Sequence, residues 1–279
     1  MSQKRFGGTV KFAVLKAVNH MARIDIHTHL VTRGSKPSTE ELLTAERLAR
    51  SYDIARLVLL GNITSVGGPN PTPEDVMTVN THTLRAMSLF PDLFIGFCYL
   101  NPAHPPSFIS DELERCIIKG GMRGIKLWIA VKATDDRLDH IMDWAARHDV
   151  PVLHHAWYKQ TVYSYQESTP AEIAVLAKRW PNVTIVMAHL CGGGIRGVLD
   201  VADTPNVLID TSGSQPEAGI VEYAVRRLGA HRVIYGSDWP LRDFGTQIGR
   251  ILGADITHAD RQRIFYGNAS QLLGLGEAK

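Results

Sequence analysis

The amino-acid sequence predicts a single-domain α/β protein, a (β/α)8 barrel of the TIM type. Three observations support this fold class. Short apolar runs alternate with longer amphipathic segments from residue 23 onwards, as expected for parallel strands joined by helices. Eight such units occupy a length of about 250 residues, which is typical of this barrel. Several of the strands also end in side chains that bind metals, and such barrels place their chemistry at the carboxyl ends of their strands.

The strands are predicted from short runs of aliphatic and β-branched residues. The run Val183-Thr184-Ile185-Val186, for example, suits a strand that is buried on both faces of a parallel sheet. The predicted strands are residues 23–29, 54–60, 93–99, 122–128, 151–155, 183–189, 206–211 and 232–237.

Amphipathic segments between these runs predict the helices. Two of them begin with capping signals, Ser38-Thr39-Glu40-Glu41 and Thr169-Pro170-Ala171-Glu172, which favour helix starts. The predicted helices are residues 38–51, 72–90, 107–119, 136–148, 170–180, 194–202, 216–229, 244–252 and 257–273. An open doubly wound sheet of six or seven strands is the alternative, but no Gly-x-Gly-x-x-Gly follows the first strand, which weighs against it.

Length and composition indicate an ordinary globular protein of 279 residues, with an N-terminal extension at 1–22 and the barrel at 23–279. The net charge of +2 gives no indication of a nucleic-acid partner. No apolar run approaches the roughly 18 residues that span a membrane, and Lys11 and Lys16 interrupt the first apolar stretch, which argues against a secretory signal. We therefore expect a cytoplasmic protein that binds a small molecule, and base rates favour a homo-oligomer.

Four segments far apart in the chain each end a predicted strand with metal-binding side chains. The first contains His27 and His29, which lie two residues apart and so share a face of the strand. Later strands add His155, His189 and Asp238. Together these residues predict a nitrogen-rich site for a divalent metal, most simply zinc, with manganese or iron as alternatives.

The order His-x-His, His, His, Asp resembles the amidohydrolase superfamily, and the surrounding phrases resemble its family 2 branch. These phrases are Pro151-Val152-Leu153-His154-His155, Ala188-His189-Leu190-Cys191-Gly192-Gly193 and Tyr235-Gly236-Ser237-Asp238-Trp239-Pro240. The resemblance implies His155 rather than His154 as the strand-five ligand, His189 as the strand-six ligand and Asp238 as the catalytic acid and base.

Metal chemistry then predicts the activity. A divalent ion lowers the pKa of bound water from about 15.7 to roughly 7, and a neighbouring carboxylate such as Asp238 can move the proton. We expect a hydrolase that acts on a small amide, lactone or related carbonyl compound, with His189 assisting at the substrate. The alternative is a non-oxidative decarboxylase for an aromatic or unsaturated carboxylic acid, as in aminocarboxymuconate-semialdehyde decarboxylase. A metal-independent lactonase and a catalytically inactive binding barrel are lesser alternatives.

Residues beside the predicted ligands suggest where a substrate binds. Lys126 ends the fourth strand, where a carboxylated lysine bridges two metals in other members of the superfamily; an anion-binding or structural lysine is the preferred interpretation. Segment 156–169 is long enough to form a lid. Aromatic and arginine side chains that follow strands four, five, six and eight are predicted to contact the substrate: Trp128, Trp157, Arg196 and Trp239.

Overall fold

The described part of the chain forms the predicted (β/α)8 barrel as one domain in a computed structural model. The described residues are 21–30, 37–61, 66–158, 167–215 and 217–276. Residues 1–20 of the predicted extension and residues 159–166 of the predicted lid lie outside them. Within the described ranges, no helix combines the length and apolar character that a membrane crossing requires.

Parallel strands pair in chain order around the barrel. The barrel closes where the amide of Ile26 donates to the carbonyl of Tyr235 at 3.0 Å and the amide of Asp238 donates to the carbonyl of His27 at 2.8 Å. The strands are β1 (Arg23–Thr28), β2 (Ile54–Leu59), β3 (Phe94–Gly96), β4 (Cys98–Tyr99), β5 (Ile125–Leu127), β6 (Val152–His154), β7 (Ile185–Met187), β8 (Val207–Asp210) and β9 (Val233–Ile234).

The third predicted strand is interrupted at Phe97, so that β3 and β4 are two pieces of one barrel strand. The amide of Phe97 still donates to the carbonyl of Leu59 at 3.0 Å, while its ring lies over Gly124. A Cβ at Gly124 would lie 2.4 Å from the ring. Only glycine therefore leaves room for this aromatic side chain inside the barrel.

Helices cover the outside of the barrel. The capping boxes predicted at Ser38 and Thr169 are confirmed, because each side chain accepts the amide of a glutamate three residues on. The α-helices are α1 (Thr39–Ser51), α2 (Pro73–Leu89), α3 (Pro106–Leu113), α4 (Asp139–His148), α5 (Pro170–Arg179), α6 (Leu190–Asp200), α7 (Ile220–Leu228), α8 (Phe244–Leu252), α9 (His258–Gln262) and α10 (Asn268–Leu272). Short 3₁₀ segments, Asp136–Leu138 and Ala230–Arg232, and π segments, Glu114–Lys119 and Arg263–Gly267, extend them.

Helix α6 begins earlier than its predicted span of 194–202. It begins at Leu190, directly after His189, and its backbone departs from helical geometry at Cys191 and Gly194. The glycines in this stretch allow the tight turn and hide the helix start from the apolar periodicity. The consequence for the site is that His189 lies at the junction of a strand and a helix.

The interior of the barrel divides into an apolar floor and a polar mouth. Ile24, Val58, Leu153 and Val186 pack together inside the barrel with Leu273 from the C-terminal segment. A larger apolar layer fills the space between strands and helices. The buried polar residues His27, Asp210 and Asp238 lie at the carboxyl ends of the strands, where the fold class predicts the chemistry.

Candidate metal centre

The ends of β1 and β9 bring two histidines and one carboxylate together. Oδ1 of Asp238 lies 3.3 Å from Nε2 of His29 and 3.6 Å from Nε2 of His27. The backbone pairing of Asp238 with His27 at 2.8 Å fixes this approach. The structure therefore brings these three predicted ligands to one place.

His155 and His189 complete the cluster. Nε2 of His189 lies 3.2 Å from Nδ1 of His155, and the His189 and His27 rings are 4.8 Å apart between centroids. The side chains of His27 and Asp238 are 1% and 8% exposed, while that of His29 is 21% exposed. The cluster thus opens to solvent mainly at His29.

Each histidine uses its other ring nitrogen to contact a group outside the cluster. These contacts join Nδ1 of His27 to Oδ2 of Asp210 at 2.7 Å, Nδ1 of His29 to the carbonyl of Gly61 at 2.9 Å, Nδ1 of His189 to Oγ of Ser212 at 2.8 Å, and Nε2 of His155 to Oε1 of Glu167 at 2.9 Å.

The outer partners determine where each ring carries its proton. Carboxylate and carbonyl oxygens only accept, so the nitrogens that face Asp210, Gly61 and Glu167 carry hydrogen. The hydroxyl of Ser212 donates to Oδ1 of Asp210 and so accepts from His189. In the neutral tautomers assigned from this network, each nitrogen that faces the cluster carries a lone pair and no hydrogen.

This arrangement of acceptors fits a divalent metal ion. One ligand atom each of His27, His29 and Asp238 lies within 4.8 Å of the others, and His189 and His155 adjoin them with facing nitrogens 3.2 Å apart. Buried acceptors that face one another need a cation between them. Imidazole nitrogens with one carboxylate form a common donor set for such ions, and histidine ligands held by outer hydrogen bonds are typical of metal sites.

Burial keeps the histidines in their neutral, ligating form. It is the largest cause that lowers the pKa of His27, His189 and His155. The positive charge of Lys126 acts in the same direction on all three histidines. Metal binding at neutral pH therefore displaces little proton from these rings.

Asp210 is a central residue that the sequence analysis missed. Burial raises its pKa, against the opposing effects of His189 and Ser212. Besides the His27 ring and the Ser212 hydroxyl, its carboxylate accepts the amides of His189 at 3.0 Å and Ser212 at 2.9 Å. It ends β8, so the strand-end rule that found the other residues applied to it as well.

Asp25 ties the ends of β1 and β9 together through hydrogen bonds to their backbone. Its Oδ1 accepts the amides of His27 at 3.0 Å and Ser237 at 2.9 Å. Burial raises the pKa of Asp25 to about 7, although the hydrogen bonds from Ser237 and His27 act against it. Asp25 thus stabilises the backbone that carries His27 and Asp238.

Two site residues have left-handed backbone conformations, His189 with φ 70° and Asp238 with φ 66°. Such conformations cost on the order of 1–3 kcal/mol for residues other than glycine. The surrounding hydrogen bonds hold both residues there, and backbone strain of this kind is concentrated at functional sites.

Lys126 on β5 is the cation of the site. It is 3% exposed, and among the described residues its ammonium makes no hydrogen bond or ion pair. Burial lowers the pKa of Lys126 to about 8, while Asp210 and Asp238 act to raise it. The side chain therefore remains protonated at neutral pH, and the carboxylates of Asp210 and Asp238 are the negative groups that favour its charge.

Of the four predicted substrate contacts, the structure brings Trp157 to the cluster. Its ring lies 5.0 Å from the His189 ring and stacks at 6.4 Å with the His155 ring. The other three contact different partners: Trp128 packs against Val76, Val79 and Tyr99, Arg196 lies 4.4 Å above the Tyr158 ring, and Trp239 stacks on Phe244 at 5.3 Å.

Comparison with known proteins identifies relatives along almost the whole barrel. The model of the family described as Amidohydrolase matches residues 24–275. A γ-resorcylate decarboxylase from Polaromonas sp. JS666 is 23% identical over 82% of this chain and 86% of its own length. An L-fucono-1,5-lactonase from Burkholderia ambifaria is 27% identical over 88% of this chain and 93% of its own.

Solved structures show the same fold. The structure of a dihydroxybenzoic acid decarboxylase from Polaromonas sp. JS666, with bound manganese and the inhibitor 2-nitroresorcinol, covers 92% of this chain and 98% of its own. Its TM-score is 0.72 and its identity is 19%. The comparisons support an enzyme with a divalent metal.

The prediction of a hydrolase is wrong. Curated relatives and solved structures are mainly decarboxylases that act on hydroxylated aromatic acids, which favours the alternative activity. The physical reason for the error is that a metal held by histidines and one aspartate serves either reaction. Zinc is likewise not confirmed, because the metal named for the related decarboxylase is manganese.

Proposed function

The chain belongs to the amidohydrolase family, and from this premise we propose that it is a metal-dependent, non-oxidative decarboxylase of small hydroxylated aromatic acids. The observation that carries the proposal is the similarity to a γ-resorcylate decarboxylase along most of both chains. The buried cluster with an adjacent protonated lysine supports it, since negative charge that develops on a substrate ring needs a positive group near it.

The metal would be held by His27, His29, His155, His189 and Asp238. When bound, the ion supplies a Lewis acid that polarises oxygen atoms of the substrate. The four ring nitrogens favour zinc over manganese, which prefers oxygen ligands; the manganese of the related structure belongs to that protein. Elemental analysis of the purified protein distinguishes the two ions.

Lys126 would stabilise the negative charge that develops during the reaction. When the bond from the ring carbon to the carboxyl carbon breaks, its electron pair remains on the ring. A cation that bound only the departing carboxylate would stabilise the ground state and slow this step. We therefore place the ammonium at a ring oxygen, where the charge spreads, because catalysis needs contacts that strengthen in the transition state.

Asp238 would supply the proton that replaces carbon dioxide. Its Oδ1 lies 3.3 Å from Nε2 of His29 and 3.6 Å from Nε2 of His27, so the carboxyl group would face the space in which the metal and the substrate bind. In its protonated form, Asp238 would act as the general acid that gives a proton to the carbanion-like ring carbon. The balance is one proton consumed for each carbon dioxide released, and water then reprotonates Asp238.

Trp157 would form the wall against which the aromatic ring lies. It is the predicted substrate contact that lies beside the cluster, against His189 and His155. A flat indole next to the metal ligands favours planar substrates, because stacked aromatic pairs gain about 0.5–1.5 kcal/mol beyond their buried area.

A substrate panel tests the proposal. Dihydroxybenzoates, the matching benzoates without ring hydroxyl groups, and a set of sugar lactones are incubated with metal-loaded protein. We expect carbon dioxide and the corresponding phenol from the hydroxylated acids alone. Turnover of the lactones without release of carbon dioxide would contradict the proposal and agree with the activity of the related lactonase.

A further inference from the structure

We propose that Glu167 is a positioning residue that holds His155 in the orientation needed to bind the metal. Oε1 of Glu167 lies 2.9 Å from Nε2 of His155, and the two side chains are only 10% and 9% exposed. With Nε2 committed to the carboxylate, Nδ1 of His155 faces the cluster. The inference rests on the metal site of the proposed function but not on its reaction.

Glu167 differs in origin from the groups that hold the other three histidines. Gly61 follows β2, while Asp210 ends β8 and Ser212 comes two residues later. Their positions are therefore set by the barrel itself. Glu167 belongs instead to the connection between β6 and α5, twelve residues after His155. Its contact with the His155 ring therefore depends on the interactions that hold this connection in place.

The structure shows a set of anchors for this purpose. The ammonium of Lys132 donates to the carbonyl of Glu167 at 2.9 Å. The next residue, Ser168, accepts the amide of Trp157 at 2.9 Å through its carbonyl and the amide of Ala133 at 2.9 Å through Oγ. The backbone of Glu167 is thus tied both to the loop after β5 and to the residues directly following His155.

A carboxylate in this position does more than fill space. It makes the opposite ring nitrogen a better electron donor and fixes the plane of the ring, which is how outer partners tune metal ligands. Glu172 provides a matched comparison: its Oε2 accepts the amide of Thr169 at 2.7 Å and lies 3.3 Å from Nζ of Lys132. It shares the surroundings of Glu167, and its carboxylate caps α5 and binds Lys132.

Metal affinity measured without turnover tests the inference. Metal-free wild type, Glu167→Ala, Glu167→Gln and Glu172→Ala are titrated with Zn²⁺ and with Mn²⁺ against a competing chelator. Circular dichroism and thermal melts of the metal-free proteins establish that each variant is folded. We expect Glu167→Ala to bind about 10–100-fold more weakly. Glu167→Gln, which keeps an accepting oxygen without the charge, should lie between it and wild type.

The control separates positioning from local stability. We expect Glu172→Ala to melt at a lower temperature because the helix cap is lost, yet to bind metal with wild-type affinity. Equal losses of affinity in Glu167→Ala and Glu172→Ala would overturn the inference, as would wild-type affinity in Glu167→Ala. If Glu167→Ala does not fold, the metal affinity of the isosteric Glu167→Gln variant tests the inference instead. Wild-type affinity in Glu167→Gln would then overturn the inference. These metal affinities are measured without turnover, so they test the role of Glu167 even if the protein decarboxylates no acid of the substrate panel.

Discussion

Oδ2 of Asp210 accepts a hydrogen bond from Nδ1 of His27 at 2.7 Å, and both side chains are almost fully buried. The other oxygen of this carboxylate accepts from the amides of His189 and Ser212 and from the Ser212 hydroxyl. One acceptor therefore directs the proton of His27 and orients the backbone of His189. Because Nδ1 of His27 carries the proton in this contact with Asp210, Nε2 of His27 presents a lone pair to the metal site.

The Asp210→Asn variant should lose metal without losing the fold. In the wild type, Oδ1 of Asp210 accepts three hydrogen bonds. In the asparagine variant the amide oxygen will therefore occupy the position of Oδ1, and the NH2 group will face Nδ1 of His27. His27 must then accept at Nδ1 and carry its proton on Nε2, towards the metal. We expect affinity about 10–100-fold weaker, measured by chelator competition. The matched control is Asp203→Asn, at an exposed aspartate. Wild-type metal affinity in Asp210→Asn would refute the tautomer assignment.

Replacing Lys126 with Met should impair catalysis far more than it impairs metal binding. The change removes the charge and keeps the length of the apolar chain. We expect kcat/KM to fall about 10²–10³-fold, the usual cost of losing one transition-state contact. Steady-state kinetics on the metal-loaded protein measure it, with exposed Lys119→Met as the matched control. Unchanged kcat/KM would show that Lys126 only fills the interior.

A methyl group at Gly124 should destabilise the barrel. The added Cβ would lie 2.4 Å from the ring of Phe97, and overpacking of this kind costs about 1–3 kcal/mol. Denaturant unfolding of Gly124→Ala measures the loss. Gly249→Ala is the control, because its added Cβ would have no atom within 4 Å apart from its neighbours in sequence and the backbone of its own helix, and alanine in a helix gains about 0.5–1 kcal/mol over glycine. Equal stability of the two variants would contradict the packing described here.

Removing the metal should lower the melting temperature. Binding to the folded state alone stabilises it by about 2.7 kcal/mol at a ligand concentration 100 times Kd, which corresponds to roughly 5–10 °C for a domain of this size. Scanning calorimetry with and without a chelator measures the shift. The His27→Ala variant should show no shift, and an equal shift in both proteins would mean that the ion binds elsewhere.

The sequence predicts the barrel well, because the fold depends on local patterns, while the five candidate ligands stay predictions. Alternating apolar runs locate strands within a few residues, and a ligand at a strand end needs only that strand's position. The interruption at Phe97 and the early start of α6 depend on close contacts and glycine geometry, which periodicity does not encode. The predicted homo-oligomer and the predicted N-terminal extension at residues 1–22 stay predictions.

The outer partners of the histidines were harder to find. Asp210 ends β8 and carried the same strand-end signal as Asp238, but its role is visible only once His27 lies beside it. Glu167 lies in a long connection without periodicity, so its contact with His155 depends on tertiary structure. The reaction was predicted wrongly for a related reason: the ligand pattern predicts a metal site, whereas the reaction that the metal serves depends on the substrate pocket.

The most direct test of the proposed decarboxylation follows a carboxyl-labelled dihydroxybenzoate in D₂O. We expect one labelled carbon dioxide and one phenol for each acid consumed, with one deuterium at the carbon that carried the carboxyl group. The reaction should stop when a chelator is added, and Asp238→Asn should lose most of it. Consumption of the acid without carbon dioxide, or no turnover in metal-loaded protein alongside hydrolysis of a lactone, would contradict the account.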